Sequence, residues 1–263
     1  MASSRSFIPG LVSVTFRHLS IQEVVSLATE SGLESIEWGG DIHVPHGDLA
    51  RAKTARQLCD DAGLAVSAYG SYYRAGASQQ NGVDFAAIVE TARVLGTDSI
   101  RIWAGHLGSD AAPPGFHEAV LADIRRVCQL AADGGCSVSL EFHGGTLTDS
   151  AEGTQRLVAE AAASNLSTYW QPPVGMAMDE CVTSLRTVLP YTRNLHVFHW
   201  WPDYHHRLPL ADGVERWREY LKIAANPAKP RHASLEFVLG DDPNQLKDDA
   251  RTLLNLLNEA REV

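Results

Sequence analysis

The chain has 263 residues, 44% hydrophobic and 21% charged, which is globular composition on a length that suits one large α/β domain and excludes disorder, collagen and coiled coil. Lys plus Arg number 22 against 32 Asp plus Glu, a formal charge of −10 that repels a phosphate backbone, so nucleic acid is not an expected partner. No apolar window is long enough to span a membrane, and the opening MASSRSFIPGLVSVTFRHLS lacks a leader pattern, so the expectation is a cytoplasmic protein with no membrane partner.

In chain order, a β-rich run at Gly10–Phe16 is followed by Ser20 and Glu23, spaced as a capping box, which open a helix ending near Gly32. A second strand at Leu33–Trp38 leads through an irregular stretch, 39–47, to a helix that stops at Gly63. The third strand is Ala65–Tyr69. After residues 70–82, Asp84 caps FAAIVETARVLG, which stops at Gly96 before the fourth strand, Ser99–Trp103. Residues 104–114 are again irregular, and the fifth strand is Cys136–Phe142. Asp149 and Ser150 precede AEGTQRLVAEAAA, and the sixth strand is Leu166–Gln171. The seventh is Asn194–His199, followed by the irregular 200–213. The eighth is His232–Val238, after which Asp242 and Pro243 open the helix NQLKDDARTLLNLLNEAR.

Eight strand and helix pairs at about 33 residues each predict a single (β/α)8 TIM barrel covering residues 1–263. The competing doubly wound sheet calls for a glycine-rich phosphate turn after its first strand, and neither GxGxxG nor a Walker sequence is present. The long irregular stretches all follow strands, which places them on the C-terminal face, where barrels build their sites. Cys59, Cys128, Cys136 and Cys181 form no CxxC pair and lie in helices or helix-to-strand turns, so they are expected as buried free thiols.

Metal-type side chains recur once per unit in the second half: Glu141 in SLEFHGG, Gln171 in TYWQPP, His199 in VFHWW and Glu236 in SLEFVLG, at intervals of 30, 28 and 37 residues. A closed barrel aims four such strand ends at one spot. Two carboxylates, an imidazole and an amide oxygen suit Mn²⁺, Mg²⁺, Co²⁺ or Zn²⁺ and do not choose among them; Mn²⁺ is the ion expected. A carboxylate in an apolar strand costs several kcal/mol unless it is paired or bound, and SLEF presents that cost twice. Gln171 carries no charge and is either a ligand or a substrate contact.

Nearly the whole chain resembles the xylose-isomerase-like TIM barrels, which include sugar phosphate isomerases and epimerases, endonuclease IV, inosose dehydratase and hydroxypyruvate isomerase. The resemblance rests on GLESIEWGG, AYGSYYRAG, IRIWAG, LEFHGGTLTD, NLHVFHWW and SLEFV, in that order. It implies a divalent metal held by Glu141, position 171, His199 and Glu236, with Gln171 standing where the family carries Asp. It also implies that Glu141 and Glu236 remove and return a proton on opposite faces of the substrate.

Histidine is abundant, with eleven in the chain. His143, two residues past Glu141, is a candidate proton carrier or extra ligand. His196 lies three before His199 and so faces the other side of a regular strand, as a packed side chain. His43, His46 and His106 are candidate substrate contacts in the loops. Trp38, Trp103 and Trp170, with Tyr69, end their strands and are candidate walls of a carbohydrate pocket, as are Trp200, Trp201, Tyr72 and Tyr73. Arg207, with Arg74 and Arg101, is a candidate anion contact, although none lies in a phosphate-cradling loop.

The reaction expected is isomerisation or epimerisation of a sugar or keto-sugar by proton abstraction next to a carbonyl, through a metal-bound enediolate, with Glu141, Glu236 and His143 as the catalytic groups. With a leaving group β to the abstracted proton, the same site becomes a lyase or dehydratase acting on a keto-sugar or keto-glycoside. A non-catalytic sugar-binding barrel is the third reading. Homo-oligomers or a partner subunit are compatible with all three.

Overall fold

In the computed structural model, which describes residues 5–260, each predicted unit becomes one strand and one helix. The strands are β1 (Phe7–Val12), β2 (Ser35–Gly39), β3 (Ala65–Arg74), β4 (Ser99–Trp103), β5 (Ser137–Leu140), β6 (Leu166–Trp170), β7 (Thr192–Val197) and, last in the ring, β10 (Arg231–Leu235). All pair in parallel, and β1 joins both β2 and β10, so the sheet closes as a barrel without edges. The helices α1 (Ile21–Glu30), α2 (Leu49–Ala62), α3 (Phe85–Leu95), α4 (Phe116–Asp133), α5 (Ala151–Ala161), α6 (Met178–Val188), α7 (Val214–Ala224) and α8 (Pro243–Glu259) pack around it. The fold is a (β/α)8 TIM barrel.

Local chemistry sets the helix ends. The Ser20 hydroxyl accepts from the Glu23 amide while the Glu23 carboxylate accepts from the Ser20 amide at 2.7 Å, a reciprocal cap worth about 1 kcal/mol. Asp48, Asp84, Ser150 and Asp242 cap α2, α3, α5 and α8 with one bond each, the side chain accepting from a first-turn amide. Gly63 and Gly96 end α2 and α3 in the left-handed region, at φ of 70° and 79°. Arg261, the last residue of the expected final helix, lies outside the described residues.

Strand boundaries differ from the apolar runs in both directions: β3 runs on to Arg74, past its expected end at Tyr69 and into a stretch expected to be irregular, and β2 ends at Gly39 rather than Trp38. β1 begins at Phe7 rather than Gly10, β7 at Thr192 rather than Asn194, and β5, β7 and β10 stop before the predicted ends. Ladder pairing ends where the backbone leaves the barrel rim, although the side chains beyond it are still apolar. The stretch 200–213 is also less irregular than expected. It contains a short antiparallel hairpin, β8 (His199–Trp200) with β9 (Arg207–Leu208).

The apolar core lies between the strands and the helices, whereas polar side chains fill much of the axis. Ser35 Oγ meets His232 Nδ1 at 2.9 Å, and the Asn194 amide donates to the Tyr169 hydroxyl at 2.9 Å. All four cysteines are buried and unpaired. Among the described residues no helix is long and apolar enough to cross a membrane.

Candidate functional site

Five strands deliver charged or metal-type side chains to the C-terminal end of the barrel axis. Glu37 comes from β2, Arg101 from β4, Glu141 from just beyond β5, His196 from β7 and Glu236 from just beyond β10. All are buried, Arg101 and Glu37 to 1% exposure and His196 to 0%. Such charges cost several kcal/mol each when isolated, so their mutual pairing decides whether the site is tolerable.

The pairing is dense. Arg101 Nε donates to Glu37 Oε1 at 2.5 Å, and its Nη1 donates to Glu141 Oε2, which also accepts from the Trp103 indole. Burial by itself would raise the Glu37 carboxyl, but Arg101 and His196 outweigh it and hold the group at about 2. Burial likewise opposes ionisation of Glu141, and Arg101 followed by His196 overcomes it, so that carboxyl also lies below its usual range. Both are ionised at neutral pH.

His196 is the hinge of the arrangement. Its Nε2 lies 3.3 Å from Glu37 Oε2, a carboxylate that cannot donate, so Nε2 carries the hydrogen. The other nitrogen, Nδ1, faces three oxygens at once: Gln171 Oε1 at 3.1 Å, Glu236 Oε2 at 3.3 Å and Glu141 Oε1 at 3.7 Å. Burial pushes the imidazole down, yet Glu236 and Glu37 reverse this and raise it to about 10. Three acceptors converging on one nitrogen call for a cation, either a proton or a metal.

The donor chemistry fits a divalent metal. Glu141, His196 and Glu236 offer ligand atoms that all lie within 4.8 Å of one another. Glu37 behind His196 fixes the tautomer that leaves Nδ1 free, a carboxylate–imidazole arrangement usual behind metal ligands. Three carboxylates, one guanidinium and a divalent ion cancel in charge once His196 is neutral. Gln171 stands close enough to add a neutral amide oxygen.

His199, expected as the ligand from the seventh strand, is elsewhere. β7 ends at Val197, and its axis-facing residues are Asn194 and His196, so the side opposite His199 is the inward one. The His199 ring instead packs against Gly213, where an added Cβ would lie 2.7 Å from it, beside Trp217 and Tyr220. His196, expected as a packed side chain, takes the place at the carboxylates. Glu37 was not among the expected site residues, yet SIEW puts an ionisable side chain in an apolar strand just as SLEF does, and that signal was sufficient to find it.

Above the charged ring opens a cavity of about 210 Å³ lined by Glu141, Gln171, Glu236, His143, Trp103 and Tyr72, together with Arg17, Arg101, Trp200 and Phe237. Tyr72 reaches it because the β3–β4 register slips between Gly70 and Tyr73, forming a bulge in which Tyr72 takes φ 57°. Its hydroxyl accepts from Arg17 at 3.1 Å. The His143 ring stacks on Trp103 at 5.2 Å, and its Nδ1 meets the Gly144 carbonyl at 2.5 Å, which assigns a hydrogen to Nδ1 and leaves Nε2 free.

The remaining expected contacts are structural in this arrangement. Trp38 is fully buried against the His43 ring, and His43 bonds Ser13 Oγ at 3.0 Å and the Leu19 carbonyl at 3.2 Å. His46 donates to the Tyr69 hydroxyl at 2.7 Å, and Tyr69 in turn donates to the Val44 carbonyl. Trp170 is buried and donates to Ser184 Oγ at 3.1 Å. His106 packs on Phe116. Arg207 pairs with Asp241 at 2.7 Å and lies over the rings of Trp200 and Phe237, bracing the mouth from behind. These strand ends were read with the right position along the chain but without the parity that sends alternate side chains to the helices.

Comparison with known proteins places this architecture. A family model for the xylose isomerase-like TIM barrel matches residues 25–257. The 3-dehydroshikimate dehydratase of Bacillus anthracis is 29% identical over 169 residues, 59% of this chain, and the match spans 58% of that relative's length. Among solved structures, the probable 3-DHS dehydratase AsbF involved in petrobactin synthesis, from Bacillus anthracis, superposes with a TM-score of 0.80 at 22% identity, covering 95% of this chain and 99% of that one. D-psicose 3-epimerase from Clostridium cellulolyticum H10, solved with D-tagatose, gives 0.75 at 13% identity, covering 96% and 98%. At these identities the structural likenesses speak for the fold.

Proposed function

The chain belongs to the xylose isomerase-like TIM barrel family, and on that premise we propose that it is a divalent-metal-dependent lyase, removing a proton next to the carbonyl of a small cyclic polyhydroxylated keto compound and expelling the group β to it. The observation that carries this reading is the inequality of the two mouth carboxylates. Glu141 is held by Arg101 and Trp103, whereas Glu236 has His196 as its side-chain partner. A carboxylate pinned by a guanidinium is a poor proton carrier, so the geometry favours one base with a separate acid over two equivalent bases.

Glu141, His196 and Glu236 would hold the metal, with Gln171 as a neutral fourth donor. When bound, the ion polarises the substrate carbonyl and offsets the negative charge that develops as the proton leaves. Glu236 takes the proton from the carbon next to the carbonyl. The bond from the β carbon to its oxygen breaks as the new double bond forms, and His143, having taken a second proton from solvent on its free Nε2, passes that proton to the oxygen, which leaves as water or an alcohol, while Glu236 then returns its own proton to solvent. Trp103, Trp200 and Phe237 exclude bulk water from the reacting atoms.

A second reading, sugar isomerisation or epimerisation, is favoured by both glutamates lying in one triad. The protein reconstituted with Mn²⁺ and given 3-dehydroshikimate or D-psicose separates the two. Loss of one water from 3-dehydroshikimate to give a dihydroxybenzoate, abolished by chelation and reduced at least about 100-fold in Glu236→Gln, is the expected result. Conversion of D-psicose to an isomer without loss of water, with 3-dehydroshikimate unchanged, would overturn the lyase in favour of the isomerase.

A further inference from the structure

Beside the charged mouth lies a second, larger cavity of about 550 Å³, and the two share His143, Gln171 and Trp200 in their linings. The mouth is smaller than the ~300–1,000 Å³ usual for small-molecule sites, whereas the side lobe falls inside that range. The glutamates and Arg101 that frame the proposed reaction line the mouth and not the lobe. The lobe is therefore surplus to the chemistry proposed above.

Its lining states what it would take. Phe142, Pro172, Pro173, Phe198, Trp200 and Tyr204 supply most of the wall. Phe198 and Trp200 stack at 4.3 Å with a 30° tilt, and Trp200 is fixed by its indole donating to the Phe237 carbonyl at 3.3 Å and by Arg207 over its ring. This aromatic wall is organised before any ligand arrives. Asp149 is the carboxylate on the lining, and its oxygens already accept from the Ser109 amide at 2.8 Å and hydroxyl at 2.7 Å. Among the described residues no Lys or Arg lines the lobe, so it offers no ammonium or guanidinium to a phosphate or carboxylate. At its rim stand Val174, 38% exposed, and Tyr204, 65% exposed, large apolar side chains left facing solvent.

We propose that the side lobe is a substrate subsite for an uncharged, planar, apolar ring, so that the substrate is a polyhydroxylated ring in the mouth carrying an aromatic substituent in the lobe. The inference rests on the reading of the mouth as the reacting centre. Stacking of a flat ring on the Phe198–Trp200 pair and on Tyr204 gives the recognition, and the prolines give a rigid opposite wall. The polyol is held by the mouth and the ring by the lobe, with Trp200 belonging to both.

The test compares phenyl β-D-glucopyranoside with methyl β-D-glucopyranoside in equilibrium titrations of the Mn²⁺-loaded protein, read by calorimetry and by quenching of tryptophan fluorescence. The phenyl compound is expected to bind at least tenfold more tightly. That preference is expected to fall at least threefold in Tyr204→Ala and in Val174→Glu, both at exposed positions that the fold tolerates. Equal affinities, no binding of either compound, or a preference unchanged in both variants would overturn the proposal. The same Mn²⁺-loaded wild-type protein is assayed for elimination with 3-dehydroshikimate. A phenyl preference in a protein that shows no elimination would sink the reaction and leave the subsite standing.

Discussion

His232 illustrates how a single half-buried side chain sets a pH limit. It sits on the polar axis with Nδ1 2.9 Å from Ser35 Oγ, and burial, helped by Arg193, lowers its pKa from 6.5 to about 4. The folded protein therefore refuses a proton that the unfolded chain accepts. This group's contribution is fully present above about pH 6.5 and is lost progressively as the pH falls toward 4, because the unfolded state binds more protons throughout that window. The shift corresponds to about 3 kcal/mol at most. Urea unfolding at pH 7 and pH 4.5 should show a smaller acid loss in His232→Leu than in wild type, and an identical loss in both would exclude this histidine as the cause. At this scale the sequence was legible wherever the chemistry was repeated in words, as in the two SLEF glutamates. It misled where one residue's parity decided the outcome, since His196 and His199 are equally plausible until the start of β7 is known.

The third strand shows the same dependence at the scale of an element. Gly70 precedes the bulge, and a Cβ there would lie 2.5 Å from Arg101 Nη2 and 2.9 Å from Glu37 Oε1. The glycine is required by the close approach of the ion pair that organises the mouth. Gly70→Ala should cost about 1–3 kcal/mol through displacement of that pair, and should weaken Mn²⁺ binding in the same protein. A calorimetric titration that leaves the affinity unchanged would separate β3 from the site. Helix starts were readable because Ser20, Asp84, Ser150 and Asp242 are caps whose side chains act within a few residues. The bulge was not readable, since the third strand is expected to end at Tyr69 with residues 70–82 irregular, whereas β3 runs on to Arg74 and its slip arises from pairing with β4, a contact that local pattern does not contain.

For the whole molecule, five of the eight strands contribute to one buried charge cluster, so occupancy of the mouth is coupled to the stability of the entire barrel. Any ion that binds the folded state alone adds stability by mass action, about 2.7 kcal/mol at a hundredfold excess over its dissociation constant. For a chain of this length that is a rise of roughly 5–10 °C in the unfolding temperature. Thermal unfolding with added Mn²⁺, Mg²⁺, Co²⁺ or Zn²⁺ should show such a rise for at least one ion in wild type and none in Glu236→Ala. Flat curves with all four would remove the metal from the mouth. The barrel itself was readable end to end from alternation and spacing, because its repeat is carried by every unit and no single error in a boundary can hide it.

The four buried thiols give the barrel an internal clock. Cys59 lies in α2, Cys128 in α4, Cys136 just before β5 and Cys181 in α6, each in a different part of the ring, and burial raises the pKa of each, to about 11 for Cys59 and about 12 for Cys128. A thiol reagent reaches them when the sector around each one opens, so their separate labelling rates time the opening of that sector. The chain thus carries, without any engineered label, four reporters of where the ring first comes apart.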